Sequence, residues 1–308
     1  MINSGIKLME INLSQRNYNK EFFASLGQMN IKGLYITQSL FGAKLKTDLE
    51  FLSGIQKKSE LKVLLTNVAL SSEKALDYIY LFENLVELSV INTSSKTLFL
   101  NLGRLPKLMR LSVSGNIRLI GVETISLECL DIHCGNLTEI NSPTVEKLRL
   151  SGVNVKDLSE IKSFPALKHL IIIKSTIVCL APMNNFKNLE TIEVAYCSRL
   201  VDIDGLKTCS KLNKLEFDCD KKIKNYDCLS ELKNLRRLAI CNCGNISSIK
   251  FIDEMPKLEF FSFVDTNVMD GDLTPCMRLD YAGTMNKRHY NIKAEDLPRK
   301  SRCDFRDL

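Results

Sequence analysis

The residues of this chain with the greatest capacity for chemistry are its three histidines and eleven cysteines. His133 and His169 fall on alternating segments that predict two strands with one strand between them, roughly 10 Å apart by strand spacing. That separation is too wide for a shared metal ion, and no His/Cys set has the spacing typical of a zinc site. A nucleophilic pair of Cys241 with His169 would span three strands, which is too far for a hydrogen bond.

Other chemical motifs are also missing from the sequence. It contains neither a glycine-rich phosphate loop nor a serine-hydrolase elbow. The sequence therefore predicts no catalytic, cofactor-binding or metal-binding residues and a protein that is not an enzyme. An enzyme with an unrecognised site is the more distant alternative.

The cysteines and the hydrophobic pattern indicate the compartment. The cysteines lie between Cys129 and Cys303 without a CxxC pair, and the N-terminus does not read as a secretory signal. We expect reduced thiols that serve as small apolar core residues in a cytoplasmic protein. No stretch approaches the ~18 consecutive apolar residues that a membrane span needs.

The elements that would position these residues follow from a repeated aliphatic pattern, Leu-x-x-Leu-x-Leu. The sequence contains nine clear copies of this pattern. Three less regular copies, beginning at Leu8, Ile31 and Leu61, bring the total to about twelve repeats. In a strand the fourth and sixth positions would point inward, and the third, fifth and seventh outward. The clear copies begin at Leu85, Leu108, Leu127, Val145, Leu167, Leu189, Leu212, Leu235 and Leu258, at steps of 23, 19, 18, 22, 22, 23, 23 and 23 residues.

This pattern, seen for example in "LMRLSVSGN" at residues 108–116, resembles the leucine-rich repeat family. The resemblance implies an α/β solenoid shaped as a curved horseshoe. Its concave side would be a parallel β-sheet, and its convex side short helices, 3-10 turns or extended segments. The 22–23-residue spacing is similar to that of internalins and of phosphatase-regulating repeat proteins. The two short repeats, beginning at Leu127 and Val145, resemble a bacterial type and favour a bacterial protein.

The ninth position of each repeat is expected to turn inward and bond backbone groups where the chain bends. The segment "LSELKNL" at residues 229–235 predicts a short helical or 3-10 turn, whereas the short repeats leave no room for a helix. We expect an N-terminal capping unit with a helix at residues 1–30, the repeat array at 31–273, and a C-terminal cap with a polar basic tail at 274–308. The small hydrogen-bonding residues at ninth positions are Ser39, Thr93, Asn116, Ser175, Cys197, Cys243 and Thr266.

The solvent-facing strand positions would line the concave face, where solenoids usually bind their partners. An acidic protein could be held by four basic residues, Arg110, Lys147, Arg149 and Arg237. His169, Ile171 and Ile173 would form the apolar centre of that surface. Alternatively, these charges simply keep the sheet soluble, with Lys214 beside Glu216. We also expect Phe260 to be exposed unless the C-terminal segment covers it, and we favour coverage. The candidate partner-binding residues are Arg110, His133, Lys147, Arg149, His169, Ile171, Ile173, Glu193, Lys214, Glu216 and Arg237.

The sequence therefore predicts a non-catalytic protein–protein interaction module: an adaptor, inhibitor or immunity-type partner of another protein. A regulatory or targeting subunit of an enzyme such as a phosphatase is the alternative. Nucleic acid is not the expected partner, because half of the net charge of +6 lies in the stretch from Gly283 onward. The sequence leaves the oligomeric state open, with a monomer favoured.

Overall fold

The computed structural model describes residues 6–13, 22, 25, 29–37, 46–70, 72–135 and 139–300. The chain divides into two compact units, Met1–Leu148 and Arg149–Leu308. Each unit is built on parallel strands, which occur at the positions that the repeated pattern predicts.

In the first unit, successive repeats contribute neighbouring strands to one parallel ladder, in the order β1-β2-β4-β5-β7-β9. The short strands β3, β6, β8 and β10 lie outside this order; β3 pairs with β4, and β6 pairs with β8. Helix α1 (Lys74–Ile79) and 3-10 turns at Glu50–Gly54, Lys58–Glu60, Leu102–Arg104 and Val122–Thr124 connect strands of this unit. The strands are β1 (Met9–Asn12), β2 (Gly33–Thr37), β3 (Lys46–Thr47), β4 (Val63–Leu70), β5 (Glu87–Asn92), β6 (Leu98–Asn101), β7 (Arg110–Gly115), β8 (Ile117–Ile120), β9 (Cys129–Gly135) and β10 (Ile140–Asn141), with β11 (Lys147–Val153) containing the boundary between the units.

The second unit has a parallel ladder in the order β13-β14-β15-β16-β18-β20. The segment predicted as a short turn forms the 3-10 turn Asp227–Glu231, which confirms that prediction, and similar turns lie at Asp204–Thr208, Lys250–Glu254, Thr274–Arg278 and Ala294–Asp296. The strands are β12 (Ile161–Ser163), β13 (His169–Ile173), β14 (Thr191–Ala195), β15 (Lys214–Asp218), β16 (Arg237–Cys241), β17 (Gly244–Ile246), β18 (Phe260–Ser262), β19 (Thr266–Val268) and β20 (Tyr281–Gly283).

The aliphatic residues of the pattern form the core of each unit. In the repeat that begins at Leu212, for instance, Leu212, Leu215 and Phe217 are fully buried. The carbonyl at the second position holds the next strand in register by accepting two backbone bonds. Asn213 O accepts from Arg236 N at 2.9 Å and from Arg237 N at 3.0 Å. The buried apolar side chains stabilise each repeat, and both they and the shared carbonyl recur in successive repeats along the chain.

The chain turns away from each strand at the eighth position of the repeat. That position has positive φ in eight consecutive repeats, a conformation that favours glycine. Gly115, with φ 86°, is one of them, and a Cβ there would lie 1.8 Å from the Asn92 carbonyl oxygen. The other seven are Cys134, Gly152, Lys174, Tyr196, Cys219, Asn242 and Asp265.

The predicted inward ninth position is confirmed in the second unit, where Ser175, Cys197, Cys243 and Thr266 are buried. It is wrong for Thr93 and Asn116, which are exposed. In that region the buried polar residue is Asn92, whose Nδ2 donates to the Lys96 and Asn116 carbonyls at 2.8 and 2.7 Å. The eighth residue of that repeat remains in the strand, so the inward residue comes one position earlier. Ser39 lies outside the described residues.

Half of the described cysteines are core residues, as predicted. Cys197, Cys209, Cys228, Cys243 and Cys276 are buried, and burial raises the pKa of Cys197 and Cys209 to about 11. The prediction is wrong for Cys134, which is exposed at one of the left-handed turns.

The two predicted caps are described to different extents. Phe22 and Ser25 of the expected N-terminal helix are helical, and the rest of residues 14–28 lies outside the described residues. At the other end, within the expected C-terminal cap, Thr274–Arg278 forms a 3-10 turn and β20 pairs with β18. The chain then returns, and Ala282 N donates to the Pro298 carbonyl at 3.0 Å. This return covers the edge of β20.

Candidate functional site

The solvent-facing side of β13–β16, β18 and β20 is called the strand face here. Its side chains come from the third, fifth and seventh positions of each repeat, and the strand register aligns them in rows. The third-position row is His169, Thr191, Lys214, Arg237, Phe260 and Tyr281; the fifth is Ile171, Glu193, Glu216, Ala239, Ser262 and Gly283; the seventh is Ile173, Ala195, Asp218 and Cys241.

A stack of three planar groups forms one side of the strand face. The guanidinium of Arg237 lies 4.4 Å from the ring centre of Phe260, whose other side stacks on Tyr281 at 4.6 Å and 6°. Phe260 is only 8 % exposed, so the expected coverage by the C-terminal segment is confirmed. The ring of Tyr281 leans over Gly283, where a Cβ would lie 2.9 Å from the hydroxyl oxygen.

Small side chains beside this stack leave a depression of about 390 Å³. Its floor is Ala239 and Ser262, and its far wall includes Cys241 and Val264. Val264 is 37 % exposed. The depression exists because the fifth-position row changes from glutamate to alanine and serine at β16 and β18.

The carboxylates that line the depression lie on its β15 side. Glu216 lines it and also pairs with Lys214, whose Nζ is 3.3 Å from Oε1. Asp218 lines it as well, and its Oδ1 accepts a hydrogen bond from Asn242 Nδ2 at 3.0 Å. Glu193 is the register neighbour of Glu216 on β14. The charges of the predicted basic surface are therefore partly balanced by acidic neighbours.

The apolar part of the prediction lies on β13. Ile171 and Ile173 are half-buried on the strand face, and His169 Nδ1 shares a 2.8 Å hydrogen bond with Thr191 Oγ1. Arg149, on β11, has a buried Nε with no hydrogen-bond partner among the described residues.

The predicted residues of the first unit have different environments. Arg110 Nε is 3.2 Å from Oε2 of Glu87, a side chain with no exposed surface. Arg110 therefore already has an acidic partner within its own chain. His133 is half-buried on β9, and Lys147 is exposed at the start of β11.

Sequence reasoning missed the buried acids Glu87 and Asp220. Asp220 occupies a ninth position and is fully buried, with Oδ1 accepting from Cys197 N at 2.6 Å. Burial raises the pKa of Asp220 to about 6. Its Oδ2 and the nearby Tyr226 hydroxyl lack hydrogen-bond partners among the described residues. The signal for Glu87 was present, because it occupies a third position one repeat before Arg110.

The described part of the chain shows neither a cluster of metal ligands nor a membrane-spanning helix. No group of three or more His, Cys, Asp or Glu residues there could hold a metal ion. None of the helices found there is both long enough and apolar enough to cross a bilayer.

Comparisons with known proteins identify the fold. No protein-family model matches the chain, and no curated protein sequence matches it significantly. The functional domain of InlJ from Listeria monocytogenes superimposes with a TM-score of 0.53 at 14 % identity, covering 87 % of this chain and 66 % of that chain. This likeness and the parallel ladders show that the chain has the leucine-rich repeat fold.

Two other solved structures superimpose less closely. An internalin C2 from Listeria monocytogenes has a TM-score of 0.46 at 18 % identity, with 69 % of this chain and 84 % of that chain covered. A leucine-rich repeat protein of Leptospira interrogans has a TM-score of 0.45 at 14 % identity, with 90 % and 85 % covered.

Proposed function

We propose that this chain is a non-catalytic protein-binding module, an adaptor, inhibitor or immunity-type protein, and that its partner lies on the strand face. The proposal includes the predicted bacterial, cytoplasmic setting and a protein rather than a nucleic acid as the partner. A regulatory subunit of an enzyme is the same kind of module with a catalytic partner.

The Arg237–Phe260–Tyr281 stack is the observation that carries this proposal. Arginine and tyrosine are among the residue types that contribute most to binding energy at protein interfaces. Here a guanidinium and two rings are held in fixed order on a rigid parallel sheet, next to a depression. A surface with its side chains already ordered loses little conformational entropy when a partner binds.

The strand face also supplies the mixture of groups that such an interface uses. Ile171 and Ile173 offer apolar surface on β13, and Glu193, Lys214 and Glu216 provide charge on the next two strands. Apolar side chains surrounded by polar ones are the usual arrangement of a protein-binding patch. The predicted acidic partner is less well supported, since Arg110 and Lys214 already pair with carboxylates of their own chain.

Affinity capture from cell extract with the intact chain and two variants tests the proposal. The variant Ile171→Asp/Ile173→Asp places two charges on the strand face. Val201→Asp is the control, because Val201 is an exposed valine (45 %) outside the strands. We expect the proteins captured by the parent chain to be lost with the strand-face variant and retained with the control, at unchanged melting temperatures. Capture that is equal for all three chains would contradict the proposal.

A further inference from the structure

We propose that the depression on the strand face receives a lysine or arginine side chain of the protein partner, with the cationic group beside Asp218. This inference rests on the proposed function and specifies the chemistry of the partner at one point of the surface.

The shape of the depression suits a long, unbranched side chain. It extends from Glu216 on β15 to Ser262 on β18, two inter-strand steps, or about 10 Å. The side chain of Ala239 is the floor at its centre. A lysine or arginine stem of three or four methylene groups fits such a channel and packs its apolar atoms there.

The walls of the depression offer apolar contact to that stem. Phe260 and Val264 line opposite sides, and Cys241 lies between Asp218 and Val264. Phe260 is fixed by Arg237 on one face and Tyr281 on the other, so its edge is the part directed to the depression. An alkyl stem would lose water-exposed area against these groups, at about 25 cal/mol per Å² of apolar surface.

The charges place the cation at the Asp218 end. The register neighbours of Asp218 are Ala195 on β14 and Cys241 on β16, and neither carries a positive charge. Lys214 and Arg237 occupy the third-position row, about 13 Å away along the strand direction. Lys214 is also engaged with Glu216.

Asp218 is available for such a contact. In the described part of the chain it forms no ion pair, and Asn242 donates to its Oδ1. The Cys219 side chain also hydrogen-bonds to this carboxylate. The two oxygens of a carboxylate offer about four lone-pair sites, so Asp218 can accept from a further donor. A charged hydrogen bond made there, partly screened from water by the walls, is stronger than one between neutral groups.

Peptide selection tests the inference without knowledge of the natural partner. Random twelve-residue peptides displayed on phage are selected against the intact chain, and the best binder is synthesised. We expect it to contain a Lys or Arg that contacts the depression. Replacing that residue with norleucine, which keeps the alkyl stem and removes the charge, should weaken binding at least tenfold.

Three protein variants locate the contact. Asp218→Asn keeps the acceptor for Asn242 and removes the charge, and should weaken binding of the peptide at least tenfold. Ala239→Leu fills the floor and should weaken it similarly. Glu231→Gln removes the same charge from an exposed position in the 3-10 turn Asp227–Glu231 and should leave the affinity within twofold. The melting temperature of each variant checks that it is folded.

The outcomes separate this inference from the proposed function. A peptide that Ala239→Leu weakens, but norleucine and Asp218→Asn do not, would overturn the cation while leaving the strand face as the binding surface. A selection that enriches no peptide, or only peptides insensitive to Asp218→Asn and Ala239→Leu, would also overturn the inference. The proposed function is judged separately, by the capture experiment with Ile171→Asp/Ile173→Asp.

Discussion

At the residue scale, two buried carboxylates depart most from the regular repeat. Glu87 and Asp220 are both fully buried, yet each has one carboxylate oxygen without a hydrogen-bond partner among the described residues. Burying a charge is costly unless it is paired, so stability should respond to mutation at both acids and to pH at Asp220. Both belong to the framework that supports the outward-facing residues.

Asp220 predicts a specific pH dependence. Its folded-state pKa of about 6 lies above the ordinary value of 3.8, so ionisation opposes folding. The penalty is absent below pH ~4, grows as the pH rises from ~4 to ~6, and is fully present above ~6; two pKa units correspond to about 3 kcal/mol. We therefore expect Asp220→Asn to exceed the parent chain in unfolding free energy at pH 8 and to lose most of that advantage at pH 4.5. Urea denaturation at both values measures the difference, and an advantage independent of pH would contradict this assignment.

The Arg110–Glu87 pair predicts an asymmetric mutational result. Removing Arg110 leaves the Glu87 carboxylate buried without its cation, and we expect Arg110→Ala to cost about 3 kcal/mol. Adding Glu87→Gln to that variant removes the buried charge and should recover most of the loss. A double-mutant cycle by urea denaturation measures the coupling, and additive single effects would show that the pair is unimportant for stability.

At the element scale, the strands were predictable and the turns after them were not. Leu212, Leu215 and Phe217 define a strand by alternation, and the same frame recurs closely enough to place β13, β14, β15, β16 and β18 of the second unit's ladder. The turn depends on backbone dihedral angles that side-chain type reports weakly. Lys174 and Tyr196 adopt φ values of 52° and 58° although neither residue favours them. For the same reason the frame misplaced the inward residue at Thr93, where the strand continues through Asn92.

The candidate site was also only partly predictable from the sequence. The outward positions of Arg237, Ile171 and Glu216 followed from the frame. The stack on Phe260 and the depression did not, because both depend on β20, whose repeat is too degenerate to recognise: Leu279 and Ala282 are its buried residues. Tyr281 is the neighbour of Phe260 only because β20 adds to the ladder in register. Contacts between repeats need the register as well as the pattern.

The left-handed turn positions make a testable claim about Lys174. Its side chain is exposed, so substitutions there report mainly on the backbone. A β-branched residue is strongly disfavoured at positive φ, and we expect Lys174→Val to be less stable than Lys174→Gly by at least about 1 kcal/mol. The same two substitutions at Lys187, an exposed turn residue without positive φ, should not show that order. Thermal denaturation of the four variants measures the stability difference between valine and glycine at each position. Equal differences at the two positions would contradict the claim.

At the scale of the whole molecule, the chain combines a regular apolar framework with an irregular outward surface. Each unit repeats the same buried contacts, so its stability is close to a sum over neighbouring repeats. The framework tolerates change at those third, fifth and seventh positions whose side chains are exposed to solvent. Glu87 and Phe260, both at third positions, are buried exceptions. That freedom explains how a recognisable fold carries a surface whose partner the repeat pattern does not specify.

Site-specific photocrosslinking tests the central claim, that a protein partner lies on the strand face, most directly. A photoreactive amino acid replaces Glu193, at the middle of the fifth-position row, or Glu231, in the 3-10 turn Asp227–Glu231. After irradiation in cell extract, we predict a discrete adduct from position 193 and none of the same mass from position 231. An adduct formed from position 231 alone would contradict the claim.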